Sequence, residues 1–210
     1  MSTRDRILQE TAALVAVRGY HGTATRDIAA AVGIRQPSLF HHFKNKQAIL
    51  AELLDRSLLP SIARIHEISG IEGSPATRLC AYVLDDLRDL VASKFDVRGL
   101  YLRDTLDDPE FSDQRASWNE LRIELRSLIS AGISEGELRD VPPEHVERIL
   151  WSLVVETMWS SHDSLLDSTE GWPESSTEIV LRGLLSDPHQ FSEIRSTAED
   201  ILSQIGSRAI

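Results

Sequence analysis

A chain of 210 residues carries a formal net charge of −11, 41% hydrophobic residues and a single cysteine. One thiol, Cys80, forms neither an internal disulfide nor a cysteine-based metal cluster. The first residues lack the basic-then-apolar pattern of a secretory signal, and no apolar run approaches the ~18 residues that span a bilayer. The expectation is a reduced, cytoplasmic protein without a membrane partner.

Charge is unevenly spread. Residues 1–56 hold 8 Lys+Arg and 5 Asp+Glu, net +3, which leaves 14 basic and 28 acidic residues beyond them, net −14. An acidic body repels a polyanion, so only the basic end is suited to approach one.

In chain order, apolar spacing is helical almost throughout. Ile7, Leu8, Thr11, Ala12, Leu14 and Val15 form one stripe over Thr3–Arg18, opened by Ser2 with Asp5 three residues on and closed by Gly19 before Tyr20. A second helix is expected at Thr25–Val32 with Thr23 as its N-cap, followed by Gly33, which supplies the positive φ of a sharp turn. A third, short helix covers Gln36–His42. Asn45 then caps a long helix bearing Ile49, Leu50, Leu53, Leu54 and Leu58. Pro60 is expected to kink or interrupt it, although Ile62, Ile65 and Ile68 keep the period up to Gly70.

Residues 71–75 read as a linker. Further helices are expected over 76–93, 99–106, 109–131, 142–166, 174–186 and 190–206, separated by Asp-Pro, Gly-x-x-x-Gly and Pro-Pro breaks. Strand-like alternation is nearly absent, so the fold class is all-α, with about ten helices. The division expected is a domain over 1–46 and a larger helical domain over 47–210.

The segment 24–46 has the form of a helix-turn-helix. In that motif one helix braces a second, which lies in the major groove and offers its N-terminal side chains to base edges. The scaffold needs a small residue where the helices cross, Ala29, a turn glycine, Gly33, and apolar packing from Ile28, Val32, Ile34, Leu39 and Phe43. Arg35, Gln36, Ser38 and His41 would then face the groove, where Arg pairs with guanine and Gln with adenine. Pro37 is tolerated because the first helical turn has unpaired N–H groups. Thr25, Arg26, His42, Lys44 and Lys46 are placed for phosphates.

Gly19–Tyr20, T-x-x-R-D-I-A at Thr23–Ala29, V-G-I at Val32–Ile34, P-S-L-F-H-H-F at Pro37–Phe43 and Lys46 together resemble the DNA-binding domain of the TetR family of bacterial transcriptional regulators. The match covers about residues 3–60. Arg35 stands where Ser or Thr commonly caps the recognition helix, Phe40 where Tyr is common, and Lys44 where Pro is frequent. Phe40 lacks the hydroxyl with which that Tyr meets a phosphate.

The resemblance implies a second domain that dimerises and holds a small-molecule effector. It also implies a regulator, a repressor by family habit, released from palindromic double-stranded operator DNA by its ligand. Candidate ligand contacts are Tyr82, Leu87, Tyr101, Trp118, Leu121, Arg122, Trp151 and Glu156. Over 142–166 one apolar stripe holds Ile149, Leu150, Leu153, Val154, Thr157 and Met158, and a second holds Trp151, Val155 and Trp159. A helix apolar on two sides is buried on two sides, which fits a four-helix homodimer interface shared with Val180, Leu181 and Leu184. A central core helix of a monomer fits the same pattern. The helix over 190–206 packs either on its own body or across a dimer. The long helix over Lys46–Ser69, about 36 Å at 1.5 Å per residue, is the natural lever between ligand and DNA.

Enzyme readings find little support. Gly132–Gly136 matches G-x-S-x-G but lacks the strand that nucleophile elbow requires. Ser161-His162-Asp163 are sequence neighbours on a helix and point in different directions. His41-His42 lacks the i,i+4 spacing of a helical metal pair, and the acidic groups Asp85-Asp86-Asp89 and Asp104-Asp107-Asp108 read as solvated faces or caps. No phosphate or dinucleotide glycine loop is present, and no cofactor is expected. The alternative function is a helical small-molecule or protein-binding module that does not read DNA sequence.

Overall fold

The computed structural model describes residues 1–101, 103–161 and 170–206, with the side chains of Arg103 and Asp104 outside the description. Among the described residues the helices are α1 (Thr3–Arg18), α2 (Thr25–Val32), α3 (Gln36–His42), α4 (Lys46–Ser69), α5 (Pro75–Ala92), α6 (Arg103–Leu106), α7 (Ser112–Ser134), α8 (Pro143–Ser160), α9 (Trp172–Leu184) and α10 (Phe191–Ile205). Short 3₁₀ turns at Val97–Gly99, Pro109–Phe111 and Pro188–Gln190 precede α6, α7 and α10. The described residues contain no strand, only an isolated antiparallel bridge between Leu138 and Leu185. None of their helices is long and apolar enough to cross a membrane.

The chain forms two compact units, Met1–Pro60 with Lys94–Asn119, and Ser61–Ser93 with the described residues from Glu120 on. These units differ from a division at residue 46. The first unit takes in the start of α4 and the segment 94–119, a long-range association that local patterning does not reveal.

In the first unit, α1 begins with the expected capping box. Ser2 Oγ accepts the Asp5 N–H, and the Asp5 carboxylate accepts from the Ser2 N–H at 3.2 Å. The Ser2 hydroxyl and backbone N–H hold the Asp5 carboxyl below its usual range. Ile7, Leu8, Ala12 and Val15 are fully buried, each such burial contributing roughly 1.5–3 kcal/mol for the larger side chains. The 97–99 turn lies so close to α1 that a Cβ on Gly99 would meet the Val15 carbonyl at 2.6 Å, so only glycine fits there.

Thr23 does not cap α2. The N-cap is Ala24, and the buried Thr23 hydroxyl instead donates to the Gly19 carbonyl at 2.9 Å, closing the turn after α1. Asn45 does cap α4, its Oδ1 accepting the Ala48 N–H at 2.8 Å. Pro60 leaves α4 uninterrupted over Lys46–Ser69. The buried register from Leu58 through Ile62, Ile65 and Ile68 holds the helix on both sides of it.

The second unit is organised around α5, which buries Ala76, Leu79, Cys80, Ala81, Tyr82, Val83, Leu84 and Leu87. A helix apolar around most of its circumference is a central one, and α8, α9 and α10 all pack on it. This settles α10 on its own chain through Phe191, Ile194, Ala198 and Ile201. Arg88 on α5 grips Glu199 with two N–H groups at 2.9 and 2.7 Å and Glu174 with a third at 2.9 Å. The Arg88 hydrogen bonds keep Glu199 below its usual pKa. Arg64, almost fully buried, pairs with Asp85 at 3.0 Å and donates to the Gly206 carbonyl at 3.1 Å.

Several sequence-based bounds shift. The expected helix over 99–106 is a 3₁₀ turn and the single-turn α6, and α8 ends at Ser160. His162, Asp163 and the rest of the expected helix to 166 lie outside the described residues. Gly132 and Ser134 sit inside α7, and Gly136 makes the following turn at φ +76°, so a helix, not a strand, leads into the G-x-S-x-G pattern.

Candidate DNA interface

The turn between α2 and α3 rests on Gly33, whose φ of +75° places its N–H on the carbonyls of Ala29 and Ala30. A side chain with Cβ is strained in that left-handed conformation. Ile28, Ala29, Val32, Leu39 and Phe43 are buried beneath it, while Ile34 is only half-buried. Ile34 thus lies at the margin of this packing.

Seven residues of α3 give little more than one face each way. Leu39 points inward; Gln36, Pro37, Phe40 and His41 are exposed on the opposite side at helical spacing. Ser38, expected on this outer edge, is half-buried on its flank. Phe40, not expected there, presents 46% of its surface. Gln36 donates to the Thr25 hydroxyl at 2.9 Å, joining the N-terminal ends of the two helices.

The basic residues of 1–56 divide by what they touch. Arg35 and Lys44 are exposed and their side chains make no hydrogen bond or ion pair among the described residues, and Arg26, 81% exposed, approaches its neighbour Asp27 at 3.6 Å. Lys46 is different. Its ammonium donates to the Tyr20 and Thr23 carbonyls at 2.7 and 3.0 Å and lies 4.0 Å from the Tyr20 ring centre. Two of its three donors are thus committed within the chain, and burial lowers its pKa. His42 is exposed, but its carbonyl is taken by Arg4 at 2.6 Å.

Arg4 was not legible as a functional residue in the sequence. Its guanidinium also pairs with Glu52 and stacks 4.1 Å from the Phe43 ring centre. Arg6 donates to the Val32 carbonyl at 2.6 Å, Arg18 to Asp27 at 3.4 Å, and Arg56 to Glu52 and Asp5 at 2.8 and 3.3 Å.

The same unit ties the turn after α1 to the 109–111 turn. Tyr20 donates to Glu110 at 2.9 Å, its ring meets Phe111 edge-on, and Gln47 donates to the Glu110 carbonyl at 2.8 Å. Burial and the Glu110 carboxylate raise the Tyr20 pKa well above its usual value.

The expected ligand contacts do not behave as one set. Tyr101, bonded to Ser57 at 2.6 Å, and Trp118 belong to the first unit, whereas the other six belong to the second. Tyr82 and Leu87 are core residues of α5, and Leu121 and Trp151 are half-buried. Arg122 pairs with the buried Glu147 at 2.5 Å, and Arg126 donates to the same carboxylate at 2.6 Å. Glu156 is exposed and accepts from Ser160 at 3.0 Å, so it is not a buried group that orients a ligand.

The expected interface residues differ in burial. Leu150, Thr157, Met158 and Leu181 are buried within their own chain, leaving no surface for a partner. Leu153, Val154, Val180 and Leu184 are half-buried. Ile149, Trp159 and Ile179 are the apolar side chains left exposed on α8 and α9, at 53%, 47% and 73%. Helical periodicity shows that two faces are apolar but not which one the chain itself covers.

Residues 7–53 match the model for bacterial regulatory proteins of the tetR family. The HTH-type transcriptional repressor KstR2 of Rhodococcus jostii is 34% identical over 154 residues, covering 70% of this chain and 74% of that protein. The chain belongs to the TetR family. The crystal structure of Mycobacterium smegmatis AmtR aligns with a TM-score of 0.79 at 33% identity, covering 100% of this chain and 97% of that one. The ketosteroid transcriptional regulator KstR2 of Mycobacterium tuberculosis aligns at 0.73 with 25% identity, covering 89% and 96%. This TetR-family chain is a DNA-binding transcriptional regulator.

Proposed function

We propose that this regulator is a homodimeric, cytoplasmic repressor that holds a palindromic operator and releases it on binding a small molecule. The observation that carries the DNA-reading part is the outer edge of α3. Arg35, Gln36, Pro37 and His41 stand exposed there beside Lys44, on a helix whose inner face is fixed by buried Leu39. Arg35 and Gln36 supply the donor and acceptor groups that discriminate guanine and adenine, and Arg26, Lys44 and the third Lys46 donor supply phosphate contacts. In this reading residues 1–46 read DNA and 47–210 serve effector binding and dimerisation.

Dimerisation is supported by the exposed Ile149, Trp159 and Ile179 on α8 and α9. Large apolar side chains left exposed gain from a covering surface. A two-fold pair would offer two α3 helices to half-sites about 34–36 Å apart.

Gel shift against the DNA flanking its own gene tests the reading, with the wild type and the double variant Arg35→Ala, Gln36→Ala. Sequence-selective binding that the double variant loses is the expected result. Binding that ignores sequence, or selectivity unchanged in the variant, would sink it. Release by a ligand is checked by titrating the same complex with ketosteroids, the class named for the similar KstR2 of Mycobacterium tuberculosis.

A further inference from the structure

Resting on the DNA-reading function, we propose that Arg4 is a positioning residue for recognition: it fixes the C-terminal end of α3 and does not itself bind phosphate. A seven-residue helix is too short to hold its own orientation, because most of its terminal N–H and C=O groups have no partner within it. At its C-terminal end the His42 carbonyl receives the Arg4 Nη1 donor at 2.6 Å. The cation also lies at the negative end of the helix, where it is favoured.

The rest of the guanidinium is fixed from two other directions. Nε and Nη2 meet the Glu52 carboxylate on α4, and the planar face lies 4.1 Å from the centre of the Phe43 ring. One side chain therefore ties α1, the end of α3 and α4 together. Arg6, two residues on, donates to the last carbonyl of α2, that of Val32, at 2.6 Å. Both helices of the motif thus end on an arginine of α1.

The electrostatics argue against a phosphate role. Glu52 neutralises Arg4 and also receives Arg56 at 2.8 Å, so a phosphate approaching Arg4 meets a carboxylate at the same place. Arg4 is 43% exposed, so removing it opens no core cavity. The consequence falls instead on the direction of α3, and base contacts tolerate only about 0.5 Å of error.

The test uses the full-length protein, a duplex selected by the wild type from random sequence, and a random-sequence duplex of equal length, titrated across a salt series. Arg4→Ala, Arg4→Lys and Glu52→Gln are compared. Each is expected to weaken the selected duplex about tenfold while leaving the random duplex within about twofold, with an unchanged salt slope. Lysine fails to rescue because it lacks the planar fork.

A phosphate role predicts the reverse on every count. Arg4→Ala would weaken both duplexes alike and shallow the slope by about 0.9 per protomer, Arg4→Lys would restore binding, and Glu52→Gln would tighten it. Any of these results overturns the proposal, as does loss of helical circular dichroism in all three variants. Should Arg4→Ala alone fail to fold, Glu52→Gln decides, since it leaves Arg4 in place. A wild type that selects no duplex at all would sink the DNA-reading function and this inference with it. Selection by the wild type with unaffected variants would sink the inference alone.

Discussion

The two compact units use positive charge differently. In the second unit, Arg64, Arg88, Arg122 and Arg126 all pair with carboxylates of other helices or of their own, and the cations serve as ties within the fold. In the first unit five of the eight basic residues of 1–56 do the same work: Arg4, Arg6, Arg18, Lys46 and Arg56 bind carbonyls or carboxylates. Arg26, Arg35 and Lys44 remain turned outward. Net charge therefore overstates the charge that residues 1–56 offer to DNA.

The largest effect is expected where a tie is buried. Arg64→Met strips the guanidinium from Asp85, which is 12% exposed, and should destabilise the second unit by about 3–5 kcal/mol in urea unfolding. Affinity for DNA measured below the unfolding range should hold. Next comes the outer edge: Arg35→Ala should cost about 1–3 kcal/mol of specific affinity with no change in unfolding midpoint. If it lowers stability instead, Arg35 belongs with the ties.

Lys44→Ala should weaken selected and random duplexes alike and reduce the salt slope by about 0.9 per protomer. A sequence-dependent loss would move Lys44 into the reading set.

The smallest effect is on acid stability. Burial opposes ionisation of Glu147, but hydrogen bonds from Arg122 and Arg126 outweigh it and its pKa is lowered; that of Glu199 is lowered chiefly by Arg88. A carboxyl depressed on folding contributes stability above its unfolded value of 4.5 and loses it as pH falls through the folded value. Unfolding free energy should therefore be flat above about pH 5.5 for these groups and drop below pH 4.5, with Glu199→Gln shallowing the drop.

Much of the first unit was legible because its signals are local. Ser2 with Asp5, Gly33 after Val32, Asn45 before Ala48 and the period of Ile7 to Val15 each act within four residues. Thr23 misled because a threonine hydroxyl before a helix can accept a backbone N–H ahead of it or donate to a carbonyl behind it, and the backward bond to Gly19 won. Arg4, Arg6 and Lys46 read only as charge, since their partners lie 23 to 48 residues away. The joining of 94–119 to the first unit rests likewise on distant pairs such as Tyr20 with Glu110. On α8, apolar Leu150 and Ile149 are adjacent in sequence yet one is core and one exposed, a distinction that depends on where α5 lies.

Salt dependence tests the central claim most directly, because counterion release counts the cations that reach phosphate. With Arg26, Lys44 and the third Lys46 donor from each of two protomers, about six phosphate contacts in all, the slope of log K against log salt should lie near −5. A slope near −14 would require all eight basic residues of each N-terminal segment to reach phosphate, the inward ones leaving their protein partners. That result, or a slope near zero, would contradict the division between inward ties and outward contacts.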